Sequence, residues 1–292
     1  MSLADFLGVV VRAVLIGFLL SVLLIRLFEE RFIFFPELAA GGGKPEDVGL
    51  RVEDVFLTTA DGVRLHAWWL SEPAARHTIL LLHGNAGNLT HRLETIAFLR
   101  GLPANVFAVD FRGYGRSQGR PSEPGVYLDA QAAYDYLARE RGQASGQVVA
   151  LGQSLGTAIA VDLATRRPLA GLILEAGFPS APRVAAGASW LPGIGYLIRT
   201  RFDSAAKLKG IRVPVLVAHC RQDSVLPFAL GEELYAAANQ PKTFVAYPGP
   251  CHEPLFHADP ADYAAKLRAF LRIEAKEAKE AQEAEEAEET KN

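Results

Sequence analysis

Val148-Val149-Ala150-Leu151-Gly152-Gln153-Ser154-Leu155-Gly156-Thr157-Ala158-Ile159-Ala160-Val161-Asp162-Leu163-Ala164 decides how this chain folds. Four apolar residues run directly into Gly152-Gln153-Ser154-Leu155-Gly156, and a helical run leaves it, ending before Pro168. A short, fully apolar run bounded by a turn reads as a strand buried on both faces. Gly152 and Gly156 leave room for backbone at a sharp strand-to-helix turn, which places Ser154 in a strained conformation at its apex. The alternative is a tight turn carrying a structural serine. A second Gly-x-Ser-x-Gly stretch, Gly115-Arg116-Ser117-Gln118-Gly119, lacks this setting. Arg120-Pro121-Ser122-Glu123-Pro124 follows it, a stretch read as unable to start a helix, so Ser117 is placed in a loop.

Outward from this segment the same alternation recurs. Val52–Thr58 and Val63–Leu70, separated by Asp61-Gly62, read as a hairpin. His77–Leu82, Val106–Val109, Leu172–Leu174, Val213–Ala218 and Thr243–Tyr247 are strand-like; Tyr127–Glu140 and Ala261–Ile273 have helical spacing. Short apolar strands with helices between them give an α/β fold, a mostly parallel sheet covered by helices on both faces. Trp68 and Trp69 fall on one strand and point to opposite faces. The two Cys among 292 residues exclude a disulfide scaffold or a multi-Cys zinc module.

The ends differ from the middle. Phe6–Ile25 holds one charge, Arg12. As a helix it rises roughly 30 Å, enough to cross a hydrocarbon core. A cleaved signal peptide needs small residues just after the apolar stretch, and Arg26-Leu27-Phe28-Glu29-Glu30-Arg31 follows instead. A buried core helix would precede every strand. The expectation is therefore a transmembrane anchor over 1–30, the α/β domain over 31–273, and an acidic, solvated tail over 274–292. The tail carries eight Glu and three Lys, a net −5 of the total −3, which leaves about +2 on the other 273 residues. That balance excludes the basic footprint of a nucleic-acid binder. Arg26 and Arg31 against Arg12 lean toward a cytoplasmic domain, on few charges, and the membrane side stays open.

A serine hydroxyl needs a base, and the base needs an acid to fix its tautomer. Downstream of Ser154 lie three histidines. His219 ends a strand, and His257 borders the last helix. His252, in Pro248-Gly249-Pro250-Cys251-His252-Glu253 after the final strand, is the candidate base. Asp223, in the loop after the penultimate strand, is the candidate acid; Asp203, before Ala205-Ala206-Lys207-Leu208, suits a helix cap instead. The chain order Ser154, Asp223, His252 is that of α/β-hydrolases.

These residues, with Phe34-Phe35-Pro36, His83-Gly84-Asn85-Ala86-Gly87-Asn88 and Asp110-Phe111-Arg112-Gly113-Tyr114-Gly115-Arg116-Ser117, resemble the α/β-hydrolase superfamily, and within it the Bem46-like, ABHD-type membrane-anchored serine hydrolases. The resemblance spans about 31–271. It implies an α/β-hydrolase fold with about eight strands, and an oxyanion hole made by the backbone N–H groups of Asn85 and Leu155. Depalmitoylating members of that group carry a Cys-rich N-terminus, which this chain lacks, so that activity is not carried over. His83 is read as a loop-ordering residue, and Asp110 and Arg112 as a loop-stabilising pair. Residues of about 176–211 are read as a small apolar lid with Phe178, Trp190, Leu191, Ile194, Tyr196, Leu197 and Ile198, with ordinary packing over the sheet edge as the alternative. Cys220 and Cys251 lie at neighbouring strand ends; two unpaired thiols are favoured over a bridge. The function expected is hydrolysis of an acyl ester or thioester at a membrane, with the lipid bilayer and an acyl-chain substrate as partners, and with no cofactor, metal, nucleic acid or obligate protein partner. An amide hydrolase on the same three residues and an inactive tethered interaction protein are the alternatives.

Overall fold

The computed structural model describes residues 2–37, 41–144, 146–188 and 193–271. Helix α1 covers Leu3–Ile33 and runs into a two-residue strand, β1 (Phe35–Pro36). The hairpin follows as β2 (Glu53–Thr58) and β3 (Arg64–Leu70), then β4 (His77–Leu82), the short β5 (Ala86–Gly87), α2 (Leu93–Arg100) and β6 (Ala104–Val109). Next come α3 (Glu123–Glu140), β7 (Val148–Gln153), α4 (Leu155–Ala164) and β8 (Gly171–Glu175). The covering segment carries α5 (Ala181–Ala188), α6 (Ile194–Leu197) and α7 (Ser204–Leu208). The chain then forms β9 (Val215–Cys220), α8 (Phe228–Ala237), β10 (Lys242–Tyr247) and a last helix, α9, over 260–271.

Eight strands make one sheet in the order β10-β9-β8-β7-β4-β6-β3-β2. Only β2–β3 and β3–β6 pair antiparallel; the remaining neighbours are parallel. The two-residue period of the strands sorts the core into two layers. From β4, Leu80 and Leu82 pack with α3 and α4, and Ile79 and Leu81 pack with α2 and α9. Trp69 joins the first layer and Trp68 the second, as the alternation predicts. All six residues of β4 are buried, and its last four, Ile79–Leu82, form the continuous apolar run expected of a strand covered on both faces.

Helix α3 corrects one expectation. It begins at Glu123, with Pro124 in its first turn and the Ser122 hydroxyl accepting from Gly125 N–H at 3.3 Å. Proline is tolerated there because the first-turn N–H has no intrahelical partner. From β4 the chain moves through α2 to β6 on one side, and returns through α3 to β7 on the other. That reversal opens a crevice at the carboxyl ends of β4 and β7, where open α/β sheets place their ligands.

Candidate active site

Ser154 stands at the end of β7 with φ 49° and ψ −113°, outside the regions comfortable for an L-residue. The strain is held from both sides. Its N–H donates to Glu175 O at 2.8 Å, and its carbonyl accepts from Thr157 N at 3.0 Å and Thr157 Oγ1 at 2.6 Å. Both elbow glycines are needed for close approach. A Cβ on Gly152 would lie 2.4 Å from Gly156 O, and one on Gly156 would lie 1.9 Å from Leu82 O. The turn thus presses the start of α4 against the end of β4.

His252 leaves the loop after β10, and its Nε2 lies 3.1 Å from Ser154 Oγ. Its Nδ1 lies 2.7 Å from Asp223 Oδ2. A carboxylate accepts, so Nδ1 carries the proton and Nε2 faces the hydroxyl with its lone pair. Asp223 Oδ1 accepts from the N–H groups of Val225 and Leu226 at 2.8 and 2.9 Å. Burial alone would raise the Asp223 carboxyl. Contacts with His219 and His252 and the Leu226 N–H outweigh it and hold the group well below the usual carboxylate range. His219 ends β9 as expected but is only half satisfied: its Nε2–H donates to Leu226 O at 2.8 Å and lies 3.4 Å from Asp223 Oδ2, while its buried Nδ1 has no hydrogen-bond partner.

Asn85 and Leu155 line one cavity with Ser154. The cavity holds about 380 Å³ and is walled mainly by apolar side chains, among them Ile33, Phe178, Val184 and Phe202. The Asn85 loop is fastened to the end of α1. Its carbonyl accepts from Phe35 N at 2.9 Å and Tyr114 Oη at 2.8 Å, and its side-chain amide donates to Ile33 O at 3.1 Å. Pairing of β1 with β5 completes the fastening.

Other expectations separate here. His83 is fully buried; its Nδ1–H donates to Gly84 O at 2.7 Å, and its ring packs on Phe111 and Tyr114. Burial pushes it down to about 4, so it is a neutral loop-ordering residue. Ser117 Oγ donates to Asp110 O at 2.7 Å and accepts from His66 N at 2.8 Å, which makes it a buried structural serine. Asp110 and Arg112 do not pair, correcting the sequence reading. Asp110 accepts from Leu89 N, whereas Arg112 turns away to Asp129 and Asp61 because α3 and the hairpin turn present their carboxylates on that side. Asp203 sits at the N-cap of α7 but its side chain makes no capping bond. Cys220 and Cys251 form a disulfide with Cα atoms 5.6 Å apart, against the favoured reading of two thiols. Parallel pairing of β9 with β10 carries both loops to the same edge, as their neighbouring strand ends led one to expect. Among the described residues no cluster of His, Cys, Asp and Glu fits a metal. Trp190, Leu191 and the acidic tail lie outside the described residues, as do the side chains of Ile194 and Tyr196.

The sequence reading missed two buried carboxyls near the site. Glu175, at the end of β8, accepts from Tyr263 Oη at 2.5 Å and Gln153 Nε2 at 2.8 Å. Burial pushes it up to about 7, against those hydrogen bonds. Glu29, near the end of α1, lines the cavity. Its signal was an acidic residue just past the long apolar run, which read only as a flank.

A mostly parallel sheet bearing a serine on a strained elbow, with a histidine and an aspartate from the last two strand loops converging on it, defines the α/β-hydrolase class. Comparison with known proteins agrees. The chain is 34% identical over 257 residues to the "Alpha/beta hydrolase domain-containing protein WAV2" of Arabidopsis thaliana, spanning 80% of this chain and 83% of that one. It is 36% identical over 227 residues to "Uncharacterized protein Rv2307c" of Mycobacterium tuberculosis, spanning 77% and 80%. Residues 73–205 match the family described as serine aminopeptidase, S33. A solved esterase of Pyrococcus furiosus superposes with a TM-score of 0.68 at 22% identity, over 82% of this chain and 97% of that one. This protein belongs to the α/β-hydrolase family.

Proposed function

We propose that this protein is a membrane-anchored serine hydrolase of acyl esters or thioesters, of the Bem46-like type. The single observation that carries the reading is the continuous contact from Asp223 through His252 to Ser154, at 2.7 and 3.1 Å. Ser154 Oγ bonds to the acyl carbon as His252 Nε2 takes its proton. Asp223 holds the imidazole in the needed tautomer and stabilises its cation. The negative charge gathering on the carbonyl oxygen is met by the N–H of Asn85 and that of Leu155, the latter free of an intrahelical partner in the first turn of α4. The C–O or C–S bond then breaks, and the leaving alcohol or thiol receives the proton from His252. Water, deprotonated by His252, attacks the acyl-enzyme and releases the acid, restoring Ser154.

The apolar cavity supports an acyl-chain substrate. Helix α1, 31 residues long and exposed over most of its length, is long and apolar enough to cross a membrane, which supports an anchor over 1–30. The disulfide favours a non-cytoplasmic face over the weak charge bias, since such bonds persist in oxidising compartments. An amide-cleaving reading draws on the serine aminopeptidase family match over 73–205. In its aminopeptidase form it calls for a carboxylate free to meet a substrate amine. The cavity's carboxylate, Glu29, already accepts from Arg199 N and Thr200 N, which favours the ester.

A fluorophosphonate probe tests the nucleophile. Labelling is expected in wild type and in Ser117→Ala and lost in Ser154→Ala; the reverse pattern refutes the assignment, and no labelling favours an inactive interaction protein. Turnover of p-nitrophenyl esters of rising length over peptide anilides is expected; preference for anilides supports the amide hydrolase.

A further inference from the structure

We propose that α1 is a wall of the acyl-binding site, and that the substrate is a membrane-resident acyl lipid whose chain enters sideways, between α1 and the covering residues Val184, Ala185 and Ile198. The inference deepens, and rests on, the reading of Ser154 as nucleophile and α1 as a retained membrane helix. Ile25, Glu29, Phe32 and Ile33 line the cavity that holds Ser154. Their spacing places them on one face of α1. Val184, Ala185 and Ile198 line the same cavity from the covering segment.

The helix is locked there rather than loosely tethered. Between Ile25 and Ile33, the Glu29 side chain is 3% exposed. It accepts from Arg199 N at 2.9 Å and Thr200 N at 2.5 Å. Arg26 Nε donates to Leu197 O at 3.2 Å, and Arg199 Nη2 donates to Arg26 O at 3.0 Å. A carboxylate buried among backbone N–H groups fixes both the rotation and the height of α1 against the cavity. A mere leash needs no such contact.

The neighbouring faces of α1 continue as bare apolar surface. Leu24 is 54% exposed and Leu27 65%. The cavity residues Phe32 and Val225 are themselves 72% and 60% exposed. Exposed apolar side chains on this scale mark a surface meant for a lipid or protein environment. Apolar surface therefore runs from the span into the cavity. An acyl chain can pass from bilayer to Ser154 along it without crossing water, so each methylene exchanges one apolar setting for another.

The test uses the full-length protein in phosphatidylcholine vesicles. The readout is the ratio of kcat/KM for p-nitrophenyl dodecanoate, carried in the vesicle, to that for p-nitrophenyl acetate. Transfer from lipid to cavity gains little per methylene, so Ile25→Trp acts by filling the space the chain must occupy, and that overpacking should lower the ratio at least ~10-fold. Val14→Trp, exposed on the same helix about three turns from the cavity, should leave it unchanged. A ratio unmoved by Ile25→Trp, or lowered equally by both, overturns the proposal. A second measurement needs no variant. A long-chain fluorophosphonate with a diazirine at its tail should, after irradiation, cross-link to peptides within 23–33; cross-links confined to other elements overturn it. Failure of Ser154 to take the fluorophosphonate at all instead refutes the hydrolase reading beneath it, and the inference falls with it.

Discussion

Gly156→Ala is the sharpest probe of the elbow. The new methyl would sit 1.9 Å from Leu82 O and 2.7 Å from both Leu82 C and His83 O. All three are backbone atoms of β4 and the loop that leads to Asn85, so no side chain can swing aside. Ordinary contact begins at 3.4 Å, leaving a shortfall of 1.5 Å. The start of α4 must retreat by about that distance. Ser154 and the Leu155 N–H then move away from Asn85 and His252 together. A misplacement of about 1 Å costs about 100-fold in rate, so kcat for p-nitrophenyl acetate should fall about 10³-fold, or about 4 kcal/mol in barrier. Overpacking should also destabilise the fold by about 1 to 3 kcal/mol. Gly187→Ala is the matched control: a methyl added there meets nothing within 4 Å, and its helix gains propensity. The assay is steady-state kinetics beside a thermal melt in detergent. A Gly156→Ala protein that keeps kcat within about threefold of wild type would refute the close-approach argument, since a tenfold change is only ~1.4 kcal/mol.

Three further outcomes follow from the same geometry. Asp223→Asn should fold normally, keeping its bonds from Val225 and Leu226 N–H, but reverse the His252 tautomer and lower kcat about 10⁴-fold; a loss under tenfold would remove Asp223 from the mechanism. Glu175, raised from 4.5 to about 7, binds its proton more tightly folded than unfolded, so it should cost stability as pH rises through that window, roughly 3 kcal/mol in all. In Glu175→Gln, with Gln153 turning its unpartnered Oε1 to meet the new amide, melts from pH 5 to 8 should lose that slope; an unchanged slope contradicts the assignment. Cys251→Ser opens a loop with a sequence separation of 31 and should cost about 3 to 4 kcal/mol by the chain-entropy account; free thiols titrated in the unreduced native protein would show that the bridge does not form.

The sequence alone determined the parts whose cause is local. The elbow was legible because an apolar strand, two glycines and a helix are contiguous, and chain neighbours need no tertiary contact to declare a turn. The strand faces were legible because a period of two sorts Trp68 from Trp69 without knowledge of what covers them. Ser154, His252 and Asp223 were legible as candidates because each sits in a loop after a strand, and parallel strands deliver such loops to one edge. Tertiary structure decided what depends on distance through space. Only the tertiary structure decided that Cys220 and Cys251 bond rather than remain two thiols, only the placement of α3 draws Arg112 from Asp110 to Asp129, and only the docking of α1 on residues 197–200 turns a hydrophobic helix into a cavity wall. An apolar helix carries the same one-dimensional pattern whether it crosses lipid or lines a pocket, since the hydrophobic effect specifies removal from water and not the neighbour that provides it.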